Sequence, residues 1–562
     1  MNIKHIAYNS LTFALLLGLS FSLNAQKLDK DVKVVKPYEP TLADAKKINV
    51  APVFDDSMKV NPTVNYWIHT RRVDATFEPK PITPARLKPD PLPTLRNNYL
   101  KLGYGTYFSP LAELCVTNGR SKDASYGLLL NTLSSSGKVT LANDKKVFAG
   151  YSNLDALLFG SRFFRKSTLS GNVFVDRKER YFYGYNPLLT SPIPDLDKGD
   201  IKQTYTSAGL QARLLSSHSD STHLLYDLAG RYSYFTDKNS NTENNVKIDA
   251  FVGSEVFDGA VFLGLNSQID YYAQKTSITV TDSSTSPLLF TFSPFVSRSS
   301  DELSFKHGFR TISLFQNGRS EMNIYPDINL NFVVVKGIME PYLGINGNYN
   351  FSGYQELTRN NPFVRPGLLV KPTDEQICFF GGIKGKMSQN LSYDFGGSYS
   401  KLNDAHFFIN YKDANNYYNQ FDVVYDNIKR GRITAEMSYQ YNDKLVIRGQ
   451  GTYSSYSTFN ETRAWNLPEL EALISAKYNI DNKLIFDASL VFVGSRYAKG
   501  IKAGEEITLN PTASLNLGAE YRYTKAFSLF ANIRNLGNMK YYEFNQYPSQ
   551  RLMALAGFTF SF

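Results

Sequence analysis

A chain of 562 residues could hold several soluble domains, but 38 Tyr and 39 Phe are more aromatic side chains than soluble domains carry. After residue 25 there is no run of 18 apolar residues and the mean hydropathy is -0.30, which excludes a helical inner-membrane protein. The net charge of +10 comes from Lys and Arg interleaved with Asp, Glu, Ser and Asn rather than from basic blocks, so no nucleic acid is expected as a partner.

The N-terminus reads as an export signal. Lys4 and His5 precede an apolar run from Leu11 to Leu19, and Leu23-Asn24-Ala25-Gln26 supplies a small-residue cleavage site after Ala25. Residues 1–25 are therefore expected to be a signal peptide. Residues 26–97 hold ten of the 24 prolines, as in PKPITPARLKPDPLPTLR. Proline lacks the donor a sheet ladder needs and favours an extended backbone, so this segment is expected to be extended, with a short helix over Leu42–Ile48.

From Asn98 the period changes to two. In SLNLGAEYRYT, Leu515, Leu517, Ala519, Tyr521 and Tyr523 share one parity, while Asn516, Gly518, Glu520, Arg522 and Thr524 share the other. RITAEMSYQY and KLVIRGQGTY repeat the pattern. Apolar and aromatic residues on one face, with Arg and Glu on the other, fit a strand between lipid and a wet lumen. Short turns recur near Lys122, Lys166, Asp220, Asp258, Asp301, Gly337, Gln389, Asp443, Asp481 and Lys525, with longer polar connections between them. The spacing predicts an all-β, antiparallel transmembrane barrel over residues 98–562, of about 22 strands within a range of about 18–24. A hairpin could be gained or lost at Leu111–Asn118 and at Lys401–Asn427.

Chemistry is sparse. There is no nucleophile motif, and the six histidines form no catalytic set, so the chain is not expected to be an enzyme or to hold a cofactor. His218 and His223 flank one turn and are read as solvated. Asp195, Asp197 and Asp200 cluster in DLDKGD and form a weak calcium candidate. Tyr181, Tyr183 and Tyr185, and Tyr417 and Tyr418, fall at strand ends or in long connections, either as outer ligand contacts or as an interfacial girdle. Cys115 and Cys378 are read as unpaired strand residues.

The last sixty or so residues carry a resemblance. FSLFANIRNLGNMKYY, then YPSQR, then ALAGFTFSF, with Asn535-Leu536 and Tyr541, resemble the end of a TonB-dependent receptor barrel, and the Tyr/Phe/Asn-rich style is similar to receptor-like proteins of Bacteroidota. The resemblance implies a Gram-negative outer-membrane location, a periplasmic N-terminus, contact with lipid and lipopolysaccharide, and a surface lipoprotein or periplasmic partner. It also implies that Phe558, Phe560 and Phe562 form the signal read by the barrel-assembly machinery. No plug domain with that family's signatures is legible, so another element must narrow the lumen: inward-folded loops, a partner, or residues 26–97. The segment is favoured as a partial contributor, with Tyr66, Trp67, Arg71 and Arg72 docking against lumen Glu and Tyr side chains; the alternative is a periplasmic tether that binds a partner. The expected function is solute passage or part of an envelope transport complex. The alternative is a structural or assembly scaffold of a multiprotein outer-membrane complex.

Overall fold

The computed structural model describes residues 96–562, apart from 120, 186–196, 218–223, 258, 277–282, 369, 413–417 and 503. The signal peptide, the proline-rich segment with Tyr66, Trp67, Arg71 and Arg72, both turn histidines, Asp195 and Tyr417 lie outside the described residues, as do the turn positions Asp220 and Asp258.

Twenty-two antiparallel strands form the wall of a closed barrel. In chain order they are β1 (Asn98–Gly105), β2 (Ser109–Thr117), β3 (Ala124–Ser135), β4 (Tyr151–Phe163), β5 (Ser167–Tyr181), β6 (Lys202–Ser216), β7 (Leu225–Asp237) and β8 (Thr242–Val256). They continue as β9 (Val261–Thr276), β10 (Leu288–Ser299), β11 (Leu303–Gln316), β12 (Arg319–Phe332), β13 (Glu340–Asn350), β14 (Thr373–Ser388) and β15 (Leu391–Tyr411). The last are β16 (Gln420–Tyr441), β17 (Leu445–Thr458), β18 (Leu470–Ile480), β19 (Leu484–Val493), β20 (Thr512–Arg522), β21 (Phe527–Arg534) and β22 (Met553–Ser561). A three-residue strand, Ser283–Thr285, extends the sheet beside β9 only. Helix α1 (Tyr354–Asn360) lies between β13 and β14.

Each strand pairs with its chain neighbour, and β1 pairs with β22 in the register Tyr99↔Ser561 to Gly105↔Leu555. Closure satisfies the ladder on both edges, as a wall in hydrocarbon requires. At the seam, Asn98 N–H donates to Phe562 O at 3.1 Å and Phe562 N–H returns to Asn98 O at 3.0 Å. Successive connections lie at opposite ends of the barrel. One end carries short turns, such as Asn442–Lys444 and Asp481–Lys483, together with both ends of the wall. The other end carries all the long loops, along with three tight turns at 106–108, 238–241 and 317–318. Both places where a hairpin was in doubt hold strands. Ser109–Thr117 is one short strand, and the second region covers the end of β15, the connection that follows and the start of β16, the two longest strands of the wall at 21 and 22 residues.

The faces follow the period-two reading. Leu515, Leu517 and Tyr521 are exposed on the outside, as are Ile433, Met437 and Tyr441, while Glu520 is half-buried on the lumen side. Lumen-facing aromatics lie flat instead of filling the bore. The Phe295 ring covers Gly264 on the next strand, and Phe262 covers Gly253, each in space that a Cβ would occupy. Phe251, Phe262 and Phe295 then line up with centroids 6.1–6.4 Å apart. Cys115 and Cys378 are unpaired.

Candidate functional site

The largest buried apolar cluster lies at the long-loop end, where connections converging from around the rim pack on one another and on inward-facing residues of the wall. Val139, Leu141 and Val147 come from a small hairpin between β3 and β4; Phe182, Tyr183 and Tyr185 from the connection after β5; Tyr354, Leu357, Phe363 and Val364 from that after β13; and Tyr547 from that after β21. Wall strands add Phe235, Phe408 and Phe421, and also Tyr205, Leu289, Ile312, Leu314 and Tyr325. Tyr354, Leu357, Val364, Phe421 and Tyr547 have no solvent exposure. We call this assembly the lid.

Aromatic geometry holds the lid together. Phe363 stacks on Tyr547 at 3.6 Å, and Tyr183 meets Tyr547 edge-on at 4.9 Å. Main-chain bonds cross between loops. Phe421 N–H donates to Phe363 O and Arg365 N–H to Phe421 O, both at 2.9 Å, forming a parallel bridge at Val364 and Phe421. The hydroxyl of Tyr183 donates to Pro548 O at 2.9 Å, that of Tyr205 to Pro362 O at 2.8 Å, and that of Tyr547 to Asn419 O. Burial pushes the phenols of Tyr183, Tyr354 and Tyr547 well above their ordinary pKa, so they remain neutral donors.

Helix α1 ties the lid to the wall. Its N-cap is Gly353, which offers no side-chain acceptor. Glu243 of β8 supplies one, accepting Tyr354 N–H at 2.6 Å and, more weakly, Gln355 N–H at 3.5 Å. A Cβ on residue 353 would run into the Glu243 carboxylate, so the close approach requires glycine there. The Tyr354 hydroxyl donates to Asp237 Oδ2 at 2.9 Å, and Gln355 Nε2 to Ser207 Oγ at 2.8 Å.

Beside the lid, inside the ring of wall strands, is a chamber of about 590 Å³. Its walls include Tyr151 of β4, Arg180 of β5, Arg534 of β21, and Tyr541, Glu543 and Arg551 of the following connection. Arg180 donates to the carbonyls of Glu179 at 2.8 Å and Ser152 at 3.4 Å. Arg496, from the hairpin Arg496–Lys499 and Glu506–Leu509, donates to the carbonyls of Tyr542 at 2.5 Å and Glu543 at 2.6 Å. Glu543 is exposed to the chamber, although the barrel and its loops surround it. Desolvation raises its pKa above the ordinary value, and Arg180 and Arg496 pull it back down. Glu543 forms no ion pair among the described residues. A second, larger cavity of about 750 Å³ lies against β6 to β13, and there the charges are matched: Arg213 pairs with Asp227 at 2.5 Å and Lys247 with Asp249 at 3.8 Å.

Tyr181, Tyr183 and Tyr185 are 6%, 7% and 1% exposed, and Tyr418 is 8% exposed; their rings are packed inside the lid region rather than turned toward solvent or a membrane interface. Asp197 and Asp200 share a turn in which Asp197 Oδ1 accepts Gly199 N–H at 3.2 Å. Among the described residues no group of three or more His, Cys, Asp or Glu is placed to hold a metal. Phe558, Phe560 and Phe562 point outward from β22 and the chain end, with Phe560 and Phe562 stacked at 5.5 Å. The residues that build the lid's centre, Phe363, Phe421, Tyr547 and the Glu243 latch, are not singled out by the sequence pattern. The only hint is the aromatic richness of the long connections, as in KYYEFNQYP.

No family model matches the sequence, and no curated protein does. Solved structures do match the barrel. The FrpB iron transporter of Neisseria meningitidis, in its apoprotein form, superposes with a TM-score of 0.63 over 84% of this chain and 82% of that one, at 11% identity. The chain has the fold of a TonB-dependent receptor barrel. Two other receptor barrels agree. The ferric-catecholate import receptor Fiu of E. coli K12 gives a TM-score of 0.60 at 11% identity, covering 83% of this chain and 82% of its own. The siderophore receptor PiuA of Acinetobacter baumannii gives 0.59 at 10% identity over the same shares. The similar structures named here are those of transporters and receptors. At these identities the likeness is one of fold alone.

Proposed function

We propose that this receptor-like barrel passes a solute across the outer membrane, with the lid as its gate. The supporting observation is the lid itself: the barrel's own connections fold inward at the long-loop end and bury aromatic side chains over a polar lumen. In this reading the long loops face outside and the short turns, with the N-terminus, face the periplasm. A side chain lost from the lid's centre weakens the gate while leaving the wall ladder intact. The solute therefore crosses only when the lid loosens. Phe558, Phe560 and Phe562 serve assembly, and the work is done by pore shape, with no covalent step.

The test is single-channel recording in planar bilayers with purified full-length protein. The unaltered protein should be nearly silent, and the double variant Phe363→Ala/Tyr547→Ala should show discrete conductance steps. If that variant exchanges its lid amides rapidly, keeps a folded barrel and still conducts nothing, the passage reading fails.

A further inference from the structure

We propose that the chamber beside the lid binds a small multivalent anion that also carries hydroxyl groups, such as a hydroxycarboxylate or a sugar phosphate. This rests on the solute-passage reading and names the class of solute. The volume, about 590 Å³, lies in the range of about 300–1,000 Å³ typical of small-molecule sites.

The charge balance selects the class. Three guanidinium groups, Arg180, Arg534 and Arg551, face one carboxylate, Glu543. Arg180 is engaged only by carbonyl oxygens and by the face of Tyr151, 5.8 Å from the ring centroid. Arg534 and Arg551 have no hydrogen-bond or ion-pair partner among the described residues, although each has up to five N–H donors. Asn153 adds a buried Oδ1 without a partner, an acceptor for a solute hydroxyl and not for the anionic group. The larger cavity shows the contrast, because Arg213 and Lys247 there already have carboxylate partners. An anion entering the first chamber would satisfy donors that the protein leaves open, and bidentate guanidinium contacts favour carboxylate or phosphate oxygens.

Glu543 narrows the class further. Its carboxylate is acceptor-only when ionised, so it repels a bare anion and accepts from a hydroxyl. A solute with both anionic and hydroxyl groups meets both requirements. The chamber also shares the lining residues Leu133, Arg534 and Met553 with a smaller cavity of about 60 Å³ that reaches Lys101, Glu113 and Asn532 lower on the wall.

Isothermal titration of the full-length protein in detergent, with citrate as the probe and glucose as the uncharged control, tests the site. Citrate should bind saturably at one per barrel, and glucose should not. Arg534→Gln should weaken citrate about tenfold, through loss of a charge-assisted contact. Glu543→Gln should tighten it about threefold by removing a like charge. Arg213→Gln, in the charge-matched cavity, should leave it unchanged. Each variant is first checked for heat-modifiable migration, so that loss of fold is not read as loss of binding. Absence of saturable citrate binding, equal affinity in Arg534→Gln, or weaker binding in Glu543→Gln would overturn the proposal. The two readings fail separately. Conductance in the lid variant without citrate binding leaves passage standing and removes the anion site, whereas citrate binding with a silent lid variant does the reverse.

Discussion

Replacing Glu243 with alanine probes how the lid is held. The Glu243 carboxylate is 3% exposed and accepts one short bond, 2.6 Å from Tyr354 N, and one long bond, 3.5 Å from Gln355 N. A hydrogen bond contributes about 0.5–1.5 kcal/mol net to a neutral carboxyl and about 1.5–3 to a charged one, and the charge at a helix N-terminus overlaps with the latter. The long bond adds little and the buried carboxyl is not held fully ionised, so we take about 1–3 kcal/mol for the latch. The wall should not suffer, because residue 243 pairs with Phe235 and Gln274 through its main chain. The loss therefore falls on the lid-opening equilibrium, which should shift roughly 5- to 150-fold toward open. Hydrogen exchange read by mass spectrometry measures this directly, as faster exchange over Tyr354–Asn360 with unchanged protection in β8. Gly353→Ala should act in the same direction, because its Cβ displaces the carboxylate. Gln355→Ala, which loses only the bond to Ser207, should change exchange less. If Glu243→Ala leaves exchange over α1 within about threefold of the unaltered protein, the latch does not carry the energy assigned to it.

Three other outcomes are expected. Changing Phe558, Phe560 and Phe562 together to Ser should lower the fraction of heat-modifiable, membrane-integrated protein; a normal fraction would remove their assembly role. Leu517→Arg sets a charge against lipid and should cost roughly 2–4 kcal/mol near the midplane, whereas Glu520→Arg turns into the lumen and should leave folding nearly intact, so equal effects in urea unfolding would contradict the face assignment. Deleting Gln26–Arg96 behind the signal should raise single-channel conductance in the lid-loosened background, and unchanged conductance with a folded barrel would leave the segment as a tether.

The wall was legible in the sequence because its determinants are local. Alternation along SLNLGAEYRYT requires only that successive strand side chains point to opposite faces, and the structure puts Leu517 outside and Glu520 inside. Short turns such as those at Asp443 and Asp481 carry their own chemistry: Asn442, Asp481 and Asn482 adopt positive φ, which Asn and Asp tolerate. Counting such turns gave the strand number without any tertiary information. The lid was not legible. Tyr183 and Tyr547 lie in separate connections on opposite sides of the β1–β22 seam, and nothing periodic marks either one as buried. A tyrosine in a polar loop has the same sequence signature whether it faces solvent, a membrane interface or another loop. Which it does is decided by barrel closure, which brings distant rims within reach of one another and lets apolar rings exclude water together. The same holds for Glu243, one acidic residue among many on a lumen-facing strand until the fold places the uncapped end of α1 against it.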